Sequence, residues 1–346
     1  MGETKAGNGE GAQPGLLGTF ADLYQWQSAM LRVVVSLVPI VVASVYLFGW
    51  RSLSIIVLCV GLGSFTEWLF CRARGEKISS AVFVTAFLLA LTLPPTVPYM
   101  VAAVAVVVAI VFGKEVFGGF GRNVYNPALV GRCFVYICFP VAMTSQWLPP
   151  FSGFPAGFAR WAGAADAVTR ATPLVNIKAG EAAASLQNLL LGNVAGSLGE
   201  TSAVLIILAG IYLVATKTAN WRIIVSCLAG GVVFSILFSW ILGTASIPGP
   251  AVTLSAGAFL FGAVFMATDP ISAPDTNLAR YVYGVGIGGL TVIIRGLSNF
   301  PGGVMFAIIL MNTFAPIMDH YARKWKKARR EARKKTEKAQ EEENGE

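Results

Sequence analysis

"AVFVTAFLLALTLPPTVPYMVAAVAVVVAIVFGK", residues 81–114, carries no Asp, Glu, Lys or Arg until its last residue. Two apolar runs are separated only by "LPPTVP", and each is about long enough to cross a ~30 Å hydrocarbon core. The rest of the chain repeats the pattern. Of its 346 residues, 55% are hydrophobic and 13% charged, outside the usual balance of a soluble protein. Ten apolar spans follow one another, at roughly 30–49, 52–71, 78–95, 97–112, 128–144, 200–216, 221–243, 251–268, 279–295 and 300–318. The composition therefore specifies an all-α integral membrane protein with about ten transmembrane helices.

Charge sets the orientation. Arg72, Arg74 and Lys77 fall between spans two and three, Lys114 and Arg122 between four and five, Lys217 and Arg222 between six and seven, and Arg280 between eight and nine. The short loops on the opposite side carry only Arg51 and Arg295. Basic loops stay in the cytoplasm, so both termini are expected there. The expected divisions are a cytoplasmic lead (1–29), a first five-span repeat (30–144), an extracytoplasmic loop (145–199), a second five-span repeat (200–319) and a basic tail (320–346).

The first 28 residues are polar and lack a short apolar stretch ending in a cleavage site, so span one reads as a retained helix. Much of the formal charge of +8 lies in "HYARKWKKARREARKK", residues 320–335. Beside a membrane helix such a run fixes orientation and touches anionic lipid, and nucleic acid is not an expected partner. The five cysteines include no C-x-x-C pair. Cys133 and Cys138 are about 140° apart on a helix, poor geometry for one metal. With His320 the only histidine, bis-histidine haem and a Ser-His-Asp triad within the chain are excluded.

Span three ends in "LTLPP" and span eight in "MATDP", and Gly-rich breaks follow, "FGGFGRNVYNP" and "GLSNFPGG". Five spans per half give equivalent halves opposite topology, the pattern of folds with a site at the repeat interface. Ordinary helix-end punctuation gives the same spacing. In "GKEVFGGFGRNVYNPALVGR", residues 113–132, Gly118, Gly119 and Gly121 each cost a helix about 1 kcal/mol relative to Ala. Pro127 then restarts a helix, with Asn123 and Asn126 placed to cap it or to bond a polar ring. Asp269, before Pro270, reads either as a cap or as part of an ion path. Glu67 and Glu115 carry the same two readings. Arg132, inside span five, calls for an anionic partner.

These motifs, with "DAVTRATPL" (166–174), "FMATDP" (265–270) and the stretch from Tyr281 to Tyr321, resemble one family. It is the membrane subunit family shared by the Rnf electron-transport complex (RnfD) and the Na⁺-translocating NADH:quinone reductase (NqrB). The resemblance covers the chain from span one to span ten. It implies a covalent flavin mononucleotide (FMN), esterified through its phosphate to the last threonine of a D-x-x-[ST]-x-A-T pattern. Here the pattern reads Asp166, Thr169, Ala171 and Thr172, with Thr172 as the attachment point. Many relatives have a small residue where Arg170 stands, which either pairs with the phosphate or hinders modification.

A flavin transferase is implied for maturation, because a threonine hydroxyl does not attack a phosphoryl group unaided. In the reductase branch, residues matching Asn123 and Asn126 lie near a non-covalent riboflavin. The expected function is a subunit of an ion-translocating (Na⁺ or H⁺) oxidoreductase in a bacterial inner membrane, with other subunits of its complex as partners. The FMN loop is expected on the outer face. No residue of this chain is expected to be catalytic alone. The polar lead, the length and "ATPL" favour the Rnf branch, whereas "NPALVGRCF" is closer to the quinone reductase. A cofactor-free secondary transporter and a structural anchor for redox subunits are the rivals from other classes.

Overall fold

The computed structural model describes residues 23–145, 147–161, 173–178, 185–200, 202–244, 247–298, 300 and 302–344. Strand β1 (Tyr24–Gln25) leads into helix α1 (Ser28–Phe48), followed by α2 (Arg51–Arg74). Gly75, at φ 69°, ends α2 in a Schellman motif, its N–H donating to Arg72 O while the Glu76 N–H reaches Cys71 O at 2.9 Å. Strand β2 (Ile78–Ser79) pairs in parallel with β1. Next come α3 (Ala81–Leu91), α4 (Tyr99–Gly113), α5 (Pro127–Cys138) and the short α6 (Pro140–Thr144).

The connection contains α7 (Pro173–Lys178) and α8 (Leu186–Leu191). The second half runs α9 (Ala203–Ala215), α10 (Trp221–Ile236), α11 (Pro250–Ser255), α12 (Phe259–Phe261, extended by a π-turn over Gly262–Met266), α13 (Asn277–Leu297) and α14 (Gly303–Asn344). Among the described residues, six helices are long and apolar enough to cross a membrane, and α3, α5 and α9 are shorter apolar helices. This is a multi-pass, mostly helical membrane protein.

Three expected spans differ from their sequence reading, each for a local reason. Span three shortens to α3, whose 11 residues rise only about 16 Å. Residues 88–97 beyond its middle are all buried, so the Pro-rich break lies inside the bundle. Span five divides at Phe139, because Pro140 has no N–H to continue the ladder. Span eight is interrupted at 256–258, between α11 and α12, after which 258–268 are buried without exception.

The 145–199 connection also reaches further into the bundle than its composition indicates. Ser197 and Leu198 are fully buried. The Leu198 N–H donates to Leu93 O at 3.1 Å, and the Gly199 N–H donates to Leu91 O at 2.6 Å. These two bonds satisfy the carbonyls left open where α3 stops. Non-helical backbone at membrane depth is tolerated when it is bonded inside protein in this way.

Close helix packing relies on glycine. A Cβ on Gly131 would collide with the Ala105 carbonyl, so α5 lies directly against α4. Gly284 and Gly288 similarly bring α13 onto Ser226 and the Cys227 carbonyl of α10. Small residues allow this approach where van der Waals packing, rather than hydrophobic burial, drives association. In each half the second helix packs on the third and fourth (α2 on α3 and α4; α10 on α11 and α13), and the fourth packs on the fifth (α4 on α5; α13 on α14). Across the halves α1 meets α9, and α5 meets α14.

Candidate functional site

Two cavities open toward opposite ends of α5. Asn126 and Pro127, at its start, line the first; Arg132, Tyr136 and Ile137, further along, line the second.

The first cavity, about 270 Å³, lies between the start of α1, the side of α3, the end of α9 and the turn after α12. Asn123, Asn126 and Asp269 all line it, so three of the residues singled out from sequence do converge. Their side chains are largely committed to the fold. Asn126 caps α5, its Oδ1 accepting from the N–H groups of Ala128 (3.1 Å) and Leu129 (3.4 Å), while its Nδ2 donates to Met266 O at 3.4 Å. Thus one amide caps a helix in the first half and ties it to the end of the broken helix in the second. Asn123 Nδ2 donates to Tyr125 O at 3.0 Å. Asp269 closes a turn over Pro270, accepting from the Ser272 hydroxyl at 2.8 Å and the Ile271 N–H at 3.4 Å.

Glu67 and Glu115 lie beside this cavity as halves of ion pairs. Lys114 Nζ donates to both Glu67 oxygens, at 2.7 and 2.6 Å, with both side chains almost wholly buried. Glu67 also accepts the Ser79 N–H at 3.0 Å, which ties the start of α3 to α2. Arg74 Nη2 donates to Glu115 Oε2 at 2.5 Å. Lys114, which lines the first cavity and neutralises Glu67, reads from sequence merely as a loop charge. Its position directly after an uncharged run is the signal available.

The second cavity is larger, about 520 Å³, within the usual range of small-molecule sites. Tyr136, Trp147 and Phe300 give it aromatic walls, and Arg132 and Glu200 give it charge. Arg132 is 7% exposed, and its Nε has no acceptor among the described residues. Arg295, which the loop count placed outside, is instead buried in α13. Its Nη1 donates to Thr253 O at 2.9 Å, while Nε and Nη2 have no hydrogen-bond partner among the described residues. Arg295 packs against Gly257 of the cavity lining (φ 66°), where a Cβ would stand 3.0 Å from Nη2, and its guanidinium lies 5.7 Å from the Phe259 ring centroid.

Asp166, Thr169, Arg170, Ala171 and Thr172 lie outside the described residues. The described chain resumes with α7, whose Leu174 and Val175 line the second cavity. Among the described residues, no group of three or more His, Cys, Asp or Glu is placed to hold a metal ion.

Two cavities lined by residues of both halves of a broken-helix bundle define the molecule as a polytopic membrane protein with internal space between its halves. A model of the NQR2, RnfD, RnfE family matches residues 20–327, and the chain belongs to that family. NqrB of Pseudomonas aeruginosa (strain LESB58), a Na⁺-translocating NADH-quinone reductase subunit, is 39% identical over 275 residues, 75% of this chain and 64% of the relative. Its counterpart in Azotobacter vinelandii is 39% identical over 271 residues, with the same coverage. The Pseudoalteromonas atlantica protein of that name is 39% identical over 282 residues, 79% of this chain and 66% of its own. The chain thus spans about two thirds of the length of these relatives.

Proposed function

We propose that this chain is a membrane subunit of a redox-driven, ion-translocating oxidoreductase of the NADH:quinone reductase type, with FMN joined to Thr172 by a phosphoester. The observation that carries this reading is the second cavity. Its wall includes Leu174, and two residues of chain span at most about 7 Å, so a tether at Thr172 begins within reach. Volume, aromatic walls and an unpartnered guanidinium suit a flat ring with an electron-rich edge. Bound there, a flavin supplies one- and two-electron transfer. The chain's own residues orient it, exclude water and balance its charge.

The names of the relatives favour the quinone-reductase branch over the Rnf branch. "ATPL" remains the sequence feature favouring Rnf, whose complex would exchange electrons between ferredoxin and NAD⁺. Assaying the assembled complex with each donor and acceptor pair separates the two. Riboflavin in the first cavity is the second cofactor of this reading. At about 270 Å³ the space is tight, and Asn123 is the better contact because the Asn126 amide is already engaged as a cap.

The two halves are read as inverted repeats. Equivalent helices meet each other, and the cavity linings support antiparallel directions: the start of α1 and the end of α9 share the first cavity. Tyr136, near the end of α5, packs on Phe306 near the start of α14. The positive-inside bias then puts the first cavity on the cytoplasmic side and the second on the outer side. Movement of Na⁺ or H⁺ follows if flavin charge favours one of two arrangements of the repeats.

The test is flavin fluorescence of the chain on a denaturing gel after co-expression with a flavin transferase. A fluorescent band that Thr172→Ala abolishes supports the reading over a cofactor-free transporter or anchor. A dark wild-type band with an active transferase rejects it.

A further inference from the structure

Arg132 and Arg295 belong to different halves of the chain; Arg132 lines the second cavity, and Arg295 packs against Gly257, which lines it. Among the described residues Arg132 makes neither a hydrogen bond nor an ion pair. Arg295 stands behind Gly257 with Nε and Nη2 unbonded among those residues. The one carboxylate lining the cavity among the described residues belongs to Glu200, and one of its oxygens already accepts the Ser197 hydroxyl at 2.5 Å. One guanidinium and one carboxylate therefore line a chamber that is mostly apolar and aromatic, with a second guanidinium packed behind its wall, 5.7 Å from the Phe259 ring centroid. Unpaired buried charge is strongly disfavoured, and an arginine at membrane depth marks the place where an anionic partner belongs.

Gly257 is a second, independent sign of a built site. A side chain there would meet Leu174 Cδ1 at 2.9 Å and Arg295 Nη2 at 3.0 Å. Its left-handed φ breaks the path between α11 and α12, and its missing Cβ lets the Arg295 guanidinium pack against backbone that lines the cavity. Two helices from opposite halves thus place one guanidinium in the cavity lining and a second against its wall at Gly257.

We infer that Arg132, assisted by Arg295, is a positioning pair that holds the negative charge of a planar heteroaromatic ligand in the second cavity, and that it thereby sets the reduction potential of the flavin proposed there. The inference rests on the flavin reading above. A flavin that takes two electrons and one proton from a reduced flavin or iron–sulfur group of a neighbouring subunit gains one negative charge, delocalised along one ring edge. The oxidised ring is neutral, so guanidinium groups favour the reduced form. Each arginine acts through its field on the ring, and neither transfers a proton.

Redox titration of the purified complex, followed by flavin absorbance, tests this. Covalent flavin per chain is counted first by in-gel fluorescence. At the potential where the wild-type covalent flavin is half reduced, Arg132→Gln is expected to lower its reduced-to-oxidised ratio at least tenfold, a shift of about 30 mV for a two-electron couple. Arg132→Lys, which keeps the charge, should stay within threefold of wild type, and Arg295→Gln should lower the ratio by a smaller factor than Arg132→Gln. If Arg132→Gln does not assemble, comparison of Arg295→Gln with Arg295→Lys carries the same test. Full covalent flavin with an unmoved ratio in the Gln variants overturns this inference and leaves the flavin reading standing. Wild-type chain without flavin overturns both.

Discussion

At the scale of single residues, polar groups expected to be functional divide into those spent on the fold and those left open. Asn126 uses its whole amide: two backbone N–H groups reach its oxygen, and its nitrogen reaches Met266 O. Asn126→Ala should therefore destabilise the protein by about 1–2 kcal/mol, the cost of losing an N-cap, as read by thermal unfolding in detergent. Asn123→Ala should lower non-covalent flavin content more than it lowers melting temperature. Equal loss of both in the two variants would remove the distinction. Glu67 and Lys114 form a buried pair, and Lys114→Met would leave a carboxylate alone beside α3. That substitution is expected to cost roughly 3–5 kcal/mol, with much of it recovered in Lys114→Met/Glu67→Gln. A double variant no more stable than the single one would mean that the pair does not stand alone in that space. Sequence made Glu67 and Asn126 visible as oddities, but not as partners, because Glu67 meets Lys114 across 47 positions and Asn126 meets Met266 across 140.

Element by element, the helices that fit the sequence reading best are those facing lipid on one side. The runs of α1, α2, α10 and α13 are continuous, and their lengths match the bilayer. Two of the three departures occur in central segments, around α3 and α12, where residues 88–97 and 258–268 are buried throughout. Hydropathy cannot distinguish an apolar residue in a helix from one in a buried turn, so the run through Leu93 reads as one span. The Pro pair at 94–95 is the available marker. Glycine carries the closest helix contact, so Gly288→Val should force α13 away from the Cys227 carbonyl of α10. A loss of about 1–3 kcal/mol is expected from such overpacking, seen as a lower detergent melting temperature. Gly61→Ala, where a Cβ meets nothing within 4 Å, is the matched control and should not lower melting, since alanine is the better helix former.

Over the whole molecule, the two cavities and the repeat of packing between halves make one prediction about orientation. In a background with Cys133 and Cys138 changed to Ser, Phe154→Cys should react in intact cells with a membrane-impermeant maleimide. Trp325→Cys should react only after the membrane is opened. Both positions are exposed, so access rather than burial decides the result. Reversed labelling would place the proposed flavin on the cytoplasmic face and undo the proposed direction of the relay.

Composition and the order of apolar runs were enough to determine a multi-pass helical membrane protein, because the bilayer demands long uncharged segments, and the resemblance of its local motifs pointed to the family. The capping role of Asn126 was equally open to reading, since a cap and its helix are neighbours. Only the tertiary structure decided that residues 197–199 finish the hydrogen bonding of α3, that Lys114 neutralises Glu67, and that Arg132 lines a cavity whose wall at Gly257 packs on Arg295. Each of those arrangements joins segments far apart in sequence. The energy that selects them comes from satisfying buried polar groups in three dimensions, where residue spacing along the chain carries no information.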